Sequence, residues 1–531
     1  MNDARTVDAV FRHAAEAHGN LPYLLFPEGG ELSYADIYDR ARRLAGSMQQ
    51  AGVQPGDRVV SLLGNSPVLY EFYIATSMVG AITVPINVQS TIYEIENLLA
   101  DCTPNGCIAD AGLLDRMERD PFGGFKLRIL TGGSRPGWVP YEAHGGAPLP
   151  QPLSSPDAPV LIIYSSGTTG TPKGITLRHS GVIGNCLRVM ERLEHSPADR
   201  FITLLPSFHL FGYNFEFLKA ALVHCPIVVM REFDAERALQ LIARYRVTVL
   251  HTVPTMVSRL FDPSLLARHD ISSIRLVYTG GGPVSPELKR RLKEDIRVEV
   301  SEGYGQTECS AGATIQPLGV DLPYASCGPA LRDFALKIVD GQDQEVPVGG
   351  TGEILVQSPT IMVGYWNQPE LTAHTLRGGW LHTGDVGRFD AEGNLYILDR
   401  VKDMLVSNGF NVFPKEVENA ILSHPAVQLA AVVGFPDEIR GDMIHGFATL
   451  NEGAGGDNLN ALAGEILQHA RQRLSHYKWP RSITIMSALP TTATGKIRRF
   501  KLREMHVETA LGGTQLGRAG DPVNGARSKP A

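Results

Sequence analysis

The sequence predicts a multidomain α/β protein, a large α/β part followed by a smaller α+β part, on three observations. Helix-spaced and strand-like apolar runs alternate through most of the chain, the pattern of layered sheets with largely parallel strands. Near residue 350 the texture turns to short strands of antiparallel character, and a compact mixture of helices and strands follows residue 403. At 531 residues and 43% hydrophobic content the chain can build about three folding units.

The elements follow in order. Tyr34, Ile37, Ala41, Leu44 and Met48 recur at helical spacing and predict a helix over 33–51. The turn Pro55-Gly56-Asp57 precedes a strand over 58–63, followed by a helix at 66–79 and a strand at 81–85. The longest nearly uncharged stretch, 72–93, is broken by Gly80, Pro85, Asn87 and Gln89. A membrane span needs ~20 mostly apolar residues in one helix, so this reads as a buried helix, a turn at Gly80 and a core strand. A Pro/Gly/Ser-rich connection covers 132–159, and 160–164 is a short, wholly apolar strand. Further strands fall at 227–230, 247–251 and 276–278, then at 352–356, 386–389 and 395–398. Beyond them come a helix at 415–423, strands at 429–433 and 446–450, and a helix at 459–474. Gly, Pro and polar residues dominate the end, which predicts a disordered tail over 507–531.

Lys plus Arg number 49 and Asp plus Glu 56, a net charge of −7, and no basic block exists to seek nucleic acid. Cys102, Cys107, Cys186, Cys225, Cys309 and Cys327 form no C-x-x-C pair, which points to a reducing compartment. With no signal peptide in the polar N-terminus, the expected location is the cytoplasm.

Five stations carry chemistry. Ser165-Ser-Gly-Thr-Thr-Gly-Thr-Pro-Lys-Gly174 follows the apolar strand. Its glycines let backbone N–H groups approach an anion, its hydroxyls add donors, and Lys173 adds charge. It is not a Walker A loop, because Pro172 stands where that motif has its second Gly. In Ser301-Glu-Gly-Tyr-Gly-Gln-Thr-Glu-Cys309, glycines flank Tyr304 so that its ring could lie flat on a planar ligand. Thr307 offers a hydroxyl there, and Glu308 offers a hard oxygen suited to Mg²⁺; a plain Gly-Tyr-Gly turn with surface acids is the alternative. Asp385, after a glycine turn in Gly379-Trp-Leu-His-Thr-Gly-Asp385, could bind two ribose hydroxyls or simply close an Asx-turn. Asp399-Arg-Val-Lys-Asp403 is a solvated charge cluster or a hinge. Thr494-Gly-Lys496 presents a lysine for catalysis or for solubility. His209, among aromatics in Pro206-Ser-Phe-His-Leu-Phe-Gly212, is a core histidine or a pocket residue. The zinc-protease, α/β-hydrolase and EF-hand motifs are absent.

In this order and spacing the stations resemble the adenylate-forming superfamily of acyl-CoA synthetases, peptide-synthetase adenylation domains and luciferases, over roughly residues 5–505. Gly303-Tyr-Gly-Gln-Thr-Glu-Cys309 and Gly409-Phe-Asn-Val-Phe-Pro-Lys-Glu-Val-Glu418 are most similar to the fatty acyl-CoA synthetase branch. Ser407-Asn408-Gly409 departs from relatives that have Ser-Gly directly. The resemblance implies a large N-terminal adenylation domain (1–399) of layered α/β subdomains with a small β-barrel-like part, a hinge (400–403), and a small mobile C-terminal α+β domain (404–506). The implied activity is ATP-dependent activation of a medium- to long-chain fatty acid through acyl-AMP, with transfer to coenzyme A. The alternatives are a fatty-acyl-AMP ligase that loads a carrier protein and a catalytically silent nucleotide- or acyl-binding protein. No insertion is visible near 389–403, which favours CoA over a carrier.

The resemblance also implies roles. Ser165, Ser166, Gly167, Thr168, Thr169, Gly170 and Lys173 hold the β- and γ-phosphates. Tyr304 stacks on adenine with Glu302, Gly303 and Gly305 around it; Thr307 touches the α-phosphate; Glu308 holds Mg²⁺. Asp385 and Arg400 hold the ribose, and Lys496 bridges the acid's carboxylate and the transferring phosphorus. Lys402 is the hinge, Asn408, Gly409 and Phe410 serve thioester formation, and Arg440 and Arg471 are candidate contacts for CoA phosphates. His209 gates the acid pocket, and Gly280, Gly281 and Gly282 line it, leaving room for an alkyl chain. Oligomeric state, a homodimer included, and peripheral membrane contact are left open by the sequence.

Overall fold

The structure is a computed structural model that describes residues 5–143, 146–149, 151–165, 173–282, 284, 286–323, 325–400, 404–407, 410–437, 441–451, 453–454, 458–491, 497–510 and 518–520. It divides into two units: residues 1–337, 355–383 and 389–396 form the first, and residues 338–354, 384–388 and 397–531 the second. The division thus runs inside the strands Leu381–Phe389 and Leu395–Arg400. The second unit gathers two segments that the sequence reading assigns to the large domain.

The first unit is layered as its alternation predicts. An eight-stranded sheet runs Gly364–Tyr365, Lys173–Arg178, Pro159–Ser165, Ile82–Pro85, Arg58–Leu62, Gly106–Asp110, Leu127–Thr131, Val139–Pro140. Its strands from Pro159–Ser165 onward pair parallel, and the first two join antiparallel. A second sheet places Val249–Thr252, Leu276–Gly280 and Glu299–Tyr304 side by side in parallel, with Thr314–Ile315 antiparallel at its edge. Parallel strands end together, so the ends of Leu276–Gly280 and Glu299–Tyr304 bring Gly280 and Gly303 into register. Helices complete the layers. Tyr34–Gln50 starts where Ser33 and Asp36 form a reciprocal capping box, and Tyr34, Ile37, Ala41, Leu44 and Met48 are all buried. Pro67–Met78 is buried on every side, as its uncharged run predicts, and Gly80 turns the chain at φ 70° into the strand Ile82–Pro85. The connection read over 132–159 carries a short strand, Val139–Pro140, and a 3₁₀ turn, Tyr141–Ala143.

In the second unit the strands Val427–Asp437 and Gly441–Leu450 form a long antiparallel pair, registered from Val427↔Leu450 to Asp437↔Gly441. They exceed the predicted strands because Pro436 and Gly441 interrupt the apolar run without ending the pairing. Helices Pro414–Leu422 and Leu459–Arg471 cover them through Val417, Ile421, Ala463, Ile466 and Leu467. The predicted disordered tail is ordered in part: a helix spans Arg499–Ala510, and Arg518–Gly520 pairs with Ser482–Thr484. Backbone pairing there satisfies polar groups that composition alone leaves to solvent. None of the six cysteines, all among the described residues, is in a disulfide, and no helix among the described residues is long and apolar enough to cross a membrane.

Glu71, on the buried helix, has a fully buried side chain, accepts a hydrogen bond from the Tyr141 hydroxyl and lies 3.6 Å from the Arg40 guanidinium. Burial pushes its carboxyl up to about 7, against the pull of both partners. The folded state therefore holds this proton where the unfolded chain has released it. The associated stability is full below the ordinary carboxylate range and is lost as pH rises through about 7. Glu71→Gln is expected to raise stability by ~3 kcal/mol at pH 8 and to converge on the parent near pH 4, read from denaturant midpoints across pH.

Candidate active site

In the first unit, strand Pro159–Ser165 returns antiparallel as Lys173–Arg178, with Ser165 and Lys173 as Cα partners. Lys173 therefore opens a strand and not a helix, in keeping with the sequence's difference from Walker A. Gly174 is needed beside it, since a Cβ there would meet Ile162 at 2.9 Å and Tyr164 at 3.1 Å. The Lys173 ammonium lies 5.5 Å from the centre of the Tyr365 ring, and the Tyr365 hydroxyl donates to Glu308 Oε1 at 3.1 Å. Burial and the Glu308 charge push the Tyr365 phenol up, so the hydroxyl keeps its proton and donates. Cation, phenol and carboxylate come from three distant segments onto one half-buried patch. Nothing in the sequence singled out Tyr365.

Glu308 sits in a tight loop that follows strand Glu299–Tyr304. A Cβ on Gly303 would stand 2.5 Å from the Tyr278 hydroxyl, and one on Gly305 1.5 Å from the Ala311 carbonyl. Only glycine fits either place, so the backbone passes close on both sides of Tyr304. Thr307 opens a one-turn 3₁₀ helix, Thr307–Cys309, and Ser310 and Ala311 then take positive φ of 62° and 105°. That strain persists because the surroundings over-determine the loop. Asn214 donates to the Ser310 carbonyl at 2.8 Å, Asn185 to the Gly312 carbonyl at 2.7 Å, and Met362 N–H to the Glu308 carbonyl at 2.8 Å. Gln306 donates to the Thr383 carbonyl at 3.0 Å. Glu302 is used inside the protein: its carboxylate accepts from Val284 N–H at 2.9 Å and lies 3.5 Å from the Lys289 ammonium. Burial raises its pKa against the lowering effect of Lys289. The Glu302 side chain, expected at the edge of a base, is thus engaged in a packing ion pair within the protein.

The residues predicted to line the acid pocket lie in the same unit. His209 caps Leu210–Gly212, its Nδ1 accepting from Phe211 N–H at 3.1 Å. Gly280 ends its strand, Gly281 has φ 83°, and a Cβ on Gly282 would lie 3.5 Å from Pro254. A ring faces the bare side of Gly280: a Cβ there would make ordinary contact with Phe211, at 3.4 Å.

In the second unit, Asp385 is buried and its Oδ1 lies 3.0 Å from Arg400 Nε. Gly384, at φ 69°, donates its N–H to Glu353 at 2.9 Å and fixes the turn before it. The two residues expected on the ribose are thus held as a pair. Arg471 donates from Nε and Nη2 to the Pro480 carbonyl at 3.2 and 2.9 Å and lies over Trp479, so it fastens the end of its helix. Ser166, Gly167, Thr168, Thr169, Gly170, Lys402, Asn408, Gly409, Arg440 and Lys496 lie outside the described residues, as do the side chains of Ser165 and Phe410.

The family model described as AMP-binding enzyme matches residues 11–366, and that of the AMP-binding enzyme C-terminal domain matches 416–496. An indoleacetate–CoA ligase of Aromatoleum aromaticum is 33% identical, covering 93% of this chain and 96% of its own. A fatty acid–[acyl-carrier-protein] ligase of Streptomyces coeruleorubidus is 30% identical, covering 90% and 92%. Among solved structures, an anthranilate CoA ligase in complex with anthranoyl-AMP superposes with a TM-score of 0.88 at 28% identity, covering 95% of this chain and 98% of that one.

Proposed function

Because the chain belongs to the AMP-binding enzyme family and is an AMP-forming acid–thiol ligase, we propose that it activates an aromatic carboxylic acid and transfers the acyl group to coenzyme A. The observation that carries the aromatic reading is the wall behind Gly280, where the rings of Phe211, Phe215 and Tyr278 stand against one another. Such a wall suits a flat, apolar ring. The indoleacetate and anthranilate ligases support it by similarity.

A carboxylate is a poor electrophile because it already carries negative charge. Its oxygen attacks the α-phosphorus of ATP and pyrophosphate leaves. A thiol then attacks the acyl carbonyl and AMP leaves. The first step brings anions together and so requires fixed positive charge and aligned donors. In this reading Lys173 and the 165–170 loop hold the β- and γ-phosphates, and Thr307 donates to the α-phosphate. Tyr304 covers the base between its two glycines, Asp385 and Arg400 take the ribose, and Lys496 faces the carboxylate and the phosphorus. Glu308 fits Mg²⁺: it is a half-buried hard oxygen donor, oriented by Tyr365 and beside the Thr307 hydroxyl. Bound there, the ion would neutralise charge on the departing pyrophosphate.

A fatty acid remains the second reading, favoured by the likeness to the carrier-protein ligase. ATP–pyrophosphate exchange with benzoate, anthranilate, indoleacetate and C8–C16 fatty acids tests both. Exchange is expected with the aryl acids, and product mass with CoA is expected to show the thioester. Exchange confined to fatty acids would overturn the aromatic reading.

A further inference from the structure

Lys219 is a fully buried lysine that the chemistry above does not use. Its ammonium has one hydrogen-bonding neighbour, His251 Nε2 at 2.9 Å, and among the described residues no carboxylate lies within ion-pair distance. A buried amine without a counter-ion is costly. Burial brings its pKa down to about 7, so the ammonium is the major form below that pH. What faces it instead are aromatic rings: the nitrogen lies 4.2 Å from the centre of Phe215 and 5.8 Å from that of Phe201.

Phe215 is held on its remaining sides as well. Tyr278 stacks on it at 5.0 Å and 13°, and Phe211 meets it edge-on at 4.7 Å and 86°. The ring projects from a six-residue π-helical segment, Tyr213–Leu218, directly after His209 and its short helix. A π segment shifts side chains out of α register and is often kept at functional sites. The two rings therefore differ in freedom. Phe211 is half-buried and lies against the bare face of Gly280, whereas Phe215 is buried behind it and clamped.

We propose that Lys219 is a positioning residue for substrate choice: it fixes the Phe215 ring as a rigid floor of the acid pocket, so that the pocket accepts compact aryl acids and rejects extended chains. This rests on the aromatic-acid reading and on the acid lying at Gly280. A ligand that displaces Phe211 meets a floor that resists following, since moving Phe215 takes from the buried ammonium the nearer of its two rings.

The test uses the full chain below pH 7, where the ammonium is the major form, in ATP–pyrophosphate exchange with benzoate, phenylacetate, 3-phenylpropionate, octanoate and dodecanoate. The parent is expected to prefer benzoate and phenylacetate over dodecanoate. Lys219→Met, close in shape but uncharged, is expected to shrink that preference about tenfold, through KM for the long acids. Phe215→Leu removes the ring, keeps the lysine and is expected to shift the preference in the same direction. The double variant should go no further than Phe215→Leu, because both act through one ring. A folded Lys219→Met with the parent's preference, or additive effects in the double variant, would overturn the clamp while leaving the aromatic reading intact. A parent that turns over no aryl acid overturns the aromatic reading and the clamp with it. Should Lys219→Met fail to fold, an unchanged preference in Phe215→Leu overturns the floor.

Discussion

Lys496→Ala is expected to lower adenylate formation by about 10²–10³-fold, equivalent to ~3–4 kcal/mol of transition-state stabilisation, and to spare the second half-reaction. The acid's carboxylate and the triphosphate are both anions, and negative charge is carried on the oxygens of the transferring phosphoryl group as the new P–O bond forms and the bond to pyrophosphate breaks. An ammonium aimed at that charge acts in the transition state far more than in the ground state, so the loss falls on kcat and not on ATP binding. Thioester formation breaks the bond to AMP without building charge on pyrophosphate. Supplied acyl-AMP plus CoA should therefore give thioester at close to the parent rate. Exchange and thioesterification measured separately on one preparation decide the matter: an equal loss in both would mean that Lys496 does not act on the phosphoryl step.

Much of this site was legible because its chemistry constrains neighbouring letters. Gly303 and Gly305 stand where a Cβ would strike the Tyr278 hydroxyl and the Ala311 carbonyl, so close backbone approach wrote itself into the sequence as glycine. The helix Tyr34–Gln50 announced both its cap, at Ser33, and its buried face. What failed to show depends on where side chains turn in space. Glu302 looked like a ligand contact from its place in the motif, yet its carboxylate turns inward to Lys289 and Val284 N–H. Arg471 looked available for a phosphate until the Pro480 carbonyl took two of its donors. Tyr365 lies 57 residues beyond the carboxylate it orients, and no local pattern links them. Glycines at 280–282 suggested bare backbone facing an acid, and nothing in those letters told that Phe211, about 70 residues earlier, brings its ring against Gly280. Apolar composition reports that a pocket wall exists; only packing reports its shape.

Glu308→Gln is expected to cut the adenylation rate about 10²-fold and to raise the Mg²⁺ concentration needed for half-maximal rate. The substitution keeps the shape and an oxygen that still accepts from Tyr365, so the loop pinned by Asn185, Asn214 and Met362 should fold as before. What it removes is the negative charge, the property by which Glu308 would hold a hard divalent cation. Tyr365→Phe makes the complementary cut: the charge stays and the hydrogen bond at 3.1 Å goes. Its effect should be smaller, about tenfold or less, since a carboxylate that loses one orienting donor still attracts the ion. Mg²⁺ titrations of the exchange rate separate the two cases. Glu308→Gln should move the half-saturating concentration strongly, and Tyr365→Phe should move it weakly in the same direction. If the glutamine variant titrates like the parent, Glu308 is held by Tyr365 for packing alone, and the ion binds elsewhere.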